Sequence, residues 1–185
     1  MDPDKTAQSQ STAKQVENPD IRRPEVSYRH PVLEDGAMMW EMVQAIGTLE
    51  LNTAYAYLLF AESFSETSLI ADVEGSAVGF VLGFRLPEKP DNLFVWQVGV
   101  HPDFRGQGLA RQMLDALCAM PANQDVHYLE ASVTATNVPS RKLFESFARQ
   151  RNVSCEVNPW LTREHFPGGN NPPHEPEDRF RIGPF

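Results

Sequence analysis

Leu93 to Ala110, LFVWQVGVHPDFRGQGLA, joins an apolar run to a short turn, His101-Pro102-Asp103-Phe104, and then to the glycine-punctuated segment Arg105-Gly106-Gln107-Gly108-Leu109-Ala110. The apolar run has the length of a buried strand, and Leu109, Met113, Leu114 and Leu117 follow at helical spacing, so the glycines stand where a strand turns into a helix. A helix start presents N–H groups with no intrahelical partner at the positive end of its dipole. Small residues leave those groups uncovered, which predicts a site for an anionic ligand such as a diphosphate. The same glycines also fit a bare tight turn, and dinucleotides and nucleotides use similar helix starts.

A chain of 185 residues accommodates one domain with a core of ordinary size and a tail. Its net charge of -9 argues against a nucleic-acid partner, which calls for a basic face, and suits a cationic small substrate. The two cysteines, Cys118 and Cys155, lack metal-ligand or disulfide-framework spacing, and Cys118 reads as a core position of a helix. The longest apolar run, Ala77 to Phe84, is too short to span a bilayer, and the polar N-terminus lacks a signal-peptide core, so a cytoplasmic protein without a membrane partner is expected.

Residues 1–25 are polar, with almost no large apolar side chain, and are expected to form a disordered leader. Strands are predicted over Val26 to His30, Thr67 to Val73, Ala77 to Phe84, the run ending at Val100, Asp125 to Thr134 and Val153 to Val157. Asp178 to Ile182 alternates Phe180 and Ile182 with Arg179 and Arg181, as an edge strand would. Glu74-Gly75-Ser76 marks a hairpin, while Pro87, Pro90 and Asp91 are expected to break the chain before the following strand. A first helix carries Met38, Met39, Met42, Val43 and Ile46 and ends at Gly47. A second follows Asn52, with Tyr55, Leu58 and Leu59 facing inward. A third begins after Arg105 and stops at Pro121, and a fourth opens at Asn137-Val138-Pro139-Ser140, with Leu143, Phe144 and Phe147 on one face. This order implies the α/β class, with a mixed twisted sheet of six or seven strands flanked by helices.

Arg105, Gly108 and Ala110 meet the pattern Arg/Gln-x-x-Gly-x-Gly/Ala, which resembles the acetyl-CoA motif of the GNAT acyltransferase superfamily. The element order from Val26 onward resembles that fold too. The resemblance implies a single acetyltransferase domain over 26–185 in which two central parallel strands, here ending near Val100 and Thr134, splay apart to admit the ligand. It implies acetyl-CoA as co-substrate, with no metal. Val98, Gly99 and Val100 would present backbone groups to the pantetheine arm and the thioester carbonyl. Arg105, Gly106, Gln107, Gly108, Leu109 and Ala110 would hold the pyrophosphate, and Asn137 and Ser140 would line the pantetheine. Asn137 equally suits helix capping. Many members place a thiolate-protonating tyrosine where this chain has Phe144, so that role falls to another residue or to water.

Four further segments, LELNTAYAYLLF (Leu49 to Phe60), PDNLFVWQVGV (Pro90 to Val100), RGQGLA and HEPEDRFRIGP (His174 to Pro184), together resemble the L-2,4-diaminobutyrate N-γ-acetyltransferases of ectoine synthesis. This narrower resemblance implies acetyl transfer to the γ-amine by direct attack in a ternary complex, and a homodimer. The acceptor carries two ammonium groups, and an aliphatic amine with a pKa of about 10 is roughly a thousandfold depleted in its free form at neutral pH. A carboxylate must bind the cation and a base must take its proton. By resemblance Glu50, Trp96, His174 and Glu177 form the acceptor site, with the 167–177 loop and the 178–182 strand completing it. Tyr55 is preferred to Tyr57 because the two face opposite ways. Bland readings stand beside these: Glu50 on the surface, Trp96 in the core, and His174 and Glu177 in a solvated loop. Another small amine as acceptor, or a non-catalytic acyl-CoA sensor, are the alternatives to this function.

Overall fold

The computed structural model describes residues 25–167 and 173–185. The expected leader, apart from Glu25, lies outside the described residues. The strands are β1 (Val26–Arg29), β2 (Leu69–Val73), β3 (Ser76–Leu86), β4 (Lys89–Val100), β5 (Tyr128–Thr134), β6 (Cys155–Leu161) and β7 (Glu177–Ile182). The α-helices are α1 (Asp35–Ile46), α2 (Ala54–Ser63), α3 (Leu109–Ala119) and α4 (Val138–Arg151). The strands make one sheet in the order β1-β2-β3-β4-β5-β7-β6, in which only the β4–β5 pair is parallel. This is the mixed sheet flanked by helices expected from the sequence.

Each face of the sheet carries its own apolar layer. Leu109, Met113, Leu114 and Leu117 of α3, the four positions read from helical spacing, are all buried, and with Phe144 and Phe147 of α4 they pack on Leu93, Val95, Leu129 and Phe180. On the other face, Met39 and Val43 of α1 and Tyr57 and Phe60 of α2 pack on Ile70, Phe80 and Leu82. Gly47 closes α1 in the left-handed region, φ 67°, with its N–H on the Val43 carbonyl. At the start of the helix Arg29 donates to Asp35 and Asp72 at 2.6 and 2.7 Å. Burial works to raise the Asp35 carboxyl, but the Arg29 guanidinium and the Val32 N–H outweigh it and hold the group below the ordinary carboxylate range.

Four expectations need correction. Helix α2 starts at Ala54 and turns Tyr57, Phe60 and Ala61 inward, which leaves Leu59 outside and Tyr55 71% exposed. Pro87 and Glu88 form a tight turn between β3 and β4, so no break separates them. The register shift between Arg85 and Leu86 accommodates Pro90 there. Strand β6 runs past Pro159 to Leu161, because an edge strand with a register shift at Pro159 needs no ladder N–H from proline. Strand β7 is not an edge but lies between β5 and β6. Its alternation is real, with Phe180 and Ile182 fully buried, yet Arg179 and Arg181 do not simply face solvent. They flank the carboxylate of Glu130, itself 0% exposed, and Asn92 donates to it at 2.5 Å.

Candidate active site

Two local irregularities of β4 shape the site. Leu82 pairs with Gln97 and Gly83 with Val95, so Trp96 is an extra residue, a β-bulge. The bulge reverses which side chains face which helices: Leu93 and Val95 pack under α3 and α4 before it, and Val98 and Val100 do so after it. Parallel pairing of β4 with β5 then stops at Val95 with Ala131, while β5 continues along β7 to Thr134 opposite Glu177. The two strands therefore diverge beyond the bulge, the splay expected for the strands ending at Val100 and Thr134. Gly99 stands where a Cβ would come within 2.7 Å of Phe80 and 2.9 Å of Ile46, so the β4 backbone approaches the α1 layer as only glycine permits.

A cleft of about 1610 Å3 opens in this gap. Val98, Gly99, Val100, Arg105, Gly106, Gly108, Leu109 and Ala110 line it from β4 and the turn, Asn137 and Ser140 from the start of α4, and Glu50, His174 and Glu177 from the opposite end. At the turn Gly108 is the N-cap of α3 in the left-handed conformation, φ 78°. Among the described residues, no backbone acceptor takes the N–H groups of Gly106, Gln107, Gly108, Leu109 or Ala110. They remain available to an anion, as the spacing suggested. The side chains around them behave differently. Arg105 donates to the carbonyls of Ile46 and Val100 at 3.0 and 3.3 Å, tying the turn to the ends of α1 and β4. Gln107 turns away to the Asp103 carbonyl, 3.4 Å, and does not line the cleft. Asn137 both caps α4, accepting from the Ser140 N–H at 3.1 Å, and faces the cleft.

Sequence reasoning passed over a basic wall. Arg111, Lys142 and Arg149 line the same cleft, in a chain whose net charge is -9. Lys142 and Arg149 stand seven residues apart on α4, a spacing that puts them on one helical face and would have revealed the stripe.

At the far end the tail motif meets the loop before α2. His174 Nε2 lies 3.9 Å from Glu50 Oε2 and 3.7 Å from Glu177 Oε1, with the His174 side chain 22% exposed. Its Nδ1 is 2.7 Å from the Glu175 carbonyl oxygen. A carbonyl only accepts, so Nδ1 carries a proton, and Nε2 is the ring nitrogen that faces the two carboxylates. Phe166 stacks on the imidazole at 3.7 Å and 12°, a contact that no sequence spacing signalled. Thr136 donates to Glu175 at 2.7 Å, fastening the tail beside the start of α4.

Two expected residues stand elsewhere. Trp96 is half-buried and stacks on Phe60 at 4.6 Å and 6°, beside the aromatic layer under α2 and outside the lining of the cleft. Tyr55 faces outward because the register of α2 gives the inner position to Tyr57, whose hydroxyl accepts from the Asn52 N–H. Phe144 is 2% exposed and packs on Phe180, with no proton to give. The cysteines are equally remote. Burial pushes the Cys118 thiol up to about 11 and raises that of Cys155, and neither lines the cleft. Among the described residues, no group of three or more His, Cys, Asp or Glu could hold a metal ion, and no helix is long and apolar enough to cross a membrane.

Comparison with known proteins agrees with this geometry. Residues 37–148 match the model of the acetyltransferase (GNAT) family. The chain is 43% identical over 160 residues to the L-2,4-diaminobutyric acid acetyltransferase of Marinococcus halophilus, covering 86% of this chain and 91% of that protein. Its counterpart in Streptomyces coelicolor is 39% identical over 157 residues, covering 84% and 91%. Among solved structures, diaminobutyrate acetyltransferase EctA from Paenibacillus lautus, in complex with its substrate L-2,4-diaminobutyric acid and coenzyme A, superposes with a TM-score of 0.82. It is 40% identical, covering 88% of this chain and 96% of that one. The ribosomal-protein-S18-alanine N-acetyltransferase of Escherichia coli, 16% identical with a TM-score of 0.62 over 86% and 94% of the two chains, shares the fold. The splayed strands, the open helix start and these relatives agree, and the chain belongs to the GNAT acetyltransferases and, within them, to the L-2,4-diaminobutyric acid acetyltransferase family.

Proposed function

We propose that this protein transfers the acetyl group of acetyl-CoA to the γ-amine of L-2,4-diaminobutyrate, giving the N-γ-acetyl product for ectoine synthesis. The observation that carries the reading is the placement of His174 Nε2 within 4 Å of both Glu50 and Glu177, in the same cleft as the open N–H groups of Gly106 to Ala110. One end suits a diphosphate and the other a cation. Glu50 and Glu177 bind the ammonium groups of the acceptor, and His174, through the Nε2 that faces them, accepts the proton that must leave before nitrogen can attack.

The freed amine attacks the thioester carbon directly. N–H groups at the end of β4, around Val98 to Val100, stabilise the charge that develops on the carbonyl oxygen. Collapse of the tetrahedral adduct breaks the C–S bond, and the departing sulfur takes its proton from His174 or water, since Phe144 holds none. The raised thiols of Cys118 and Cys155, both away from the cleft, favour this ternary complex over an acyl-enzyme. The acting unit is the 26–185 domain, with residues 173–177 at the acceptor end and 168–172 of the expected 167–177 loop outside the described residues, and a cytoplasmic homodimer completes the reading.

Glu50→Gln tests it. The change preserves size and removes charge, and a hydrogen bond to a charged group is worth about 1.5 to 3 kcal/mol, so KM for diaminobutyrate should rise at least about tenfold while KM for acetyl-CoA stays put. Unchanged constants would return Glu50 to the surface. His174→Ala with Glu177→Ala should lower kcat by about two orders of magnitude or more, the size of a lost general base, with CoA binding intact. Full turnover by that double variant would remove the tail from the chemistry. Release of free CoA across a panel of diamines separates this enzyme from one for another amine, and from a sensor that releases none.

A further inference from the structure

We propose that Gln97 is a positioning residue that places the Glu50 carboxylate, and thereby sets the affinity for the acceptor; the inference rests on the reading of Glu50 as an ammonium ligand. The Glu50 side chain is 75% exposed, and among the described residues its one ionisable neighbour, His174, stands 3.9 Å away. Among the described residues no hydrogen bond holds the Glu50 carboxylate, so its position is inherited from the backbone. The Glu50 carbonyl accepts from Gln97 Nε2 at 2.9 Å and from Asn52 Nδ2 at 3.4 Å. Asn52 belongs to the same loop and moves with it. Among the described residues, Gln97 alone fastens that carbonyl to the sheet.

The residue type at 97 has no packing reason. The bulge at Trp96 turns Gln97 out of the face shared by Leu93 and Val95 and leaves it 8% exposed. Its Oε1 is buried and accepts no hydrogen bond among the described residues. A buried amide that uses only its donor destabilises the fold relative to an apolar side chain of the same shape. What an apolar residue could not supply is the bond to Glu50. The flanks of the loop are fixed separately, Arg105 donating to the Ile46 carbonyl and Trp40 Nε1 to the Asn52 carbonyl at 3.2 Å. Gln97 therefore controls the middle of the loop, where the carboxylate is.

Gln97→Met retains length and removes the donor together with the unpartnered acceptor. The melting temperature should be no lower than that of the parent and CoA affinity unchanged, while KM for diaminobutyrate rises about tenfold, the scale of one lost hydrogen bond, with kcat little altered. Gln97→Leu, shorter and likewise without the donor, should give the same KM shift, and carries the test if the methionine variant does not fold. In a Glu50→Gln background, either change should add nothing, because the group being placed is gone. An unchanged KM overturns the proposal, as does a shift that adds fully to that of Glu50→Gln, or one that accompanies an equal loss of CoA affinity. Should Glu50→Gln alone leave KM unmoved, the reading of Glu50 fails first and takes this proposal with it, a result separable from a failure at Gln97.

Discussion

A chain ending at Phe166 is expected to show no cooperative thermal transition and to bind no CoA, although the segment it lacks begins with a proline- and glycine-rich stretch of disposable appearance. The reason is the place of β7. It supplies the hydrogen-bonding partner of β5 from Leu129 to Thr134 and of β6 from Cys155 to Leu161, so its loss leaves both strands with open edges. Phe180 and Ile182 are fully buried, and truncating such side chains to alanine costs about 2 to 5 kcal/mol each. Glu130 would lose Arg179 and Arg181, and stripping a buried charge of its partner costs a further 3 to 5 kcal/mol or so. Against a total stability of roughly 5 to 15 kcal/mol, nothing folded remains. Calorimetry on the truncated chain checks this. A sharp melting transition with intact CoA binding would mean that β5 and β6 close on each other without it.

Gly108→Glu is expected to lower CoA affinity by more than a hundredfold while leaving the fold intact. Gly108 has φ 78°, where a side chain costs about 1 to 2 kcal/mol, yet a Cβ there meets only the tip of Arg111 at 3.8 Å. The backbone strain is tolerable and the space is open. The added carboxylate, however, stands among the N–H groups proposed for the pyrophosphate. Like charges about 4 Å apart repel by roughly 1 kcal/mol in water and about 4 kcal/mol at a partly shielded site, and the side chain also covers the donors. Isothermal titration with CoA, beside a melting curve, distinguishes lost binding from lost fold. Gly108→Ala should fall between the two, since it adds strain without charge. Undiminished affinity in the glutamate variant would move the pyrophosphate away from this turn.

Much of this architecture was legible because period and punctuation agree. Leu109, Met113, Leu114 and Leu117 repeat at helical spacing and all are buried, and Gly47 and Gly108 sit at the helix ends where φ is positive. What escaped depends on partners distant in sequence. Arg179 and Arg181 look solvent-facing until Glu130 is brought beside them. The bulge at Trp96 is a mismatch between two strands, invisible in either strand alone, and it decides where Trp96 and Gln97 face. Tyr55 against Tyr57 turned on a start of α2 one residue later than the apparent cap. At the site, glycine spacing pointed to an anion at the helix start, while His174 and Glu177 entered only through the resemblance carried by His174 to Pro184. The stacking of Phe166 on His174 and the bond from Gln97 to Glu50 left no sequence trace, because they join segments with no common period.

The insertion of β7 between its neighbours also orders the making of the molecule. During synthesis β5 and β6 emerge first, and the strand that must separate them comes last of the seven. The sheet on this side therefore cannot close until β7 is made, a step of long sequence range that waits for almost the whole described chain. Glu177 begins that strand and His174 stands three residues before it, so the wall proposed for the acceptor arrives with the strand that completes the sheet. Interrupted translation products would then be unfolded chains cleared by proteolysis, and none would linger as a half-enzyme that sequesters acetyl-CoA.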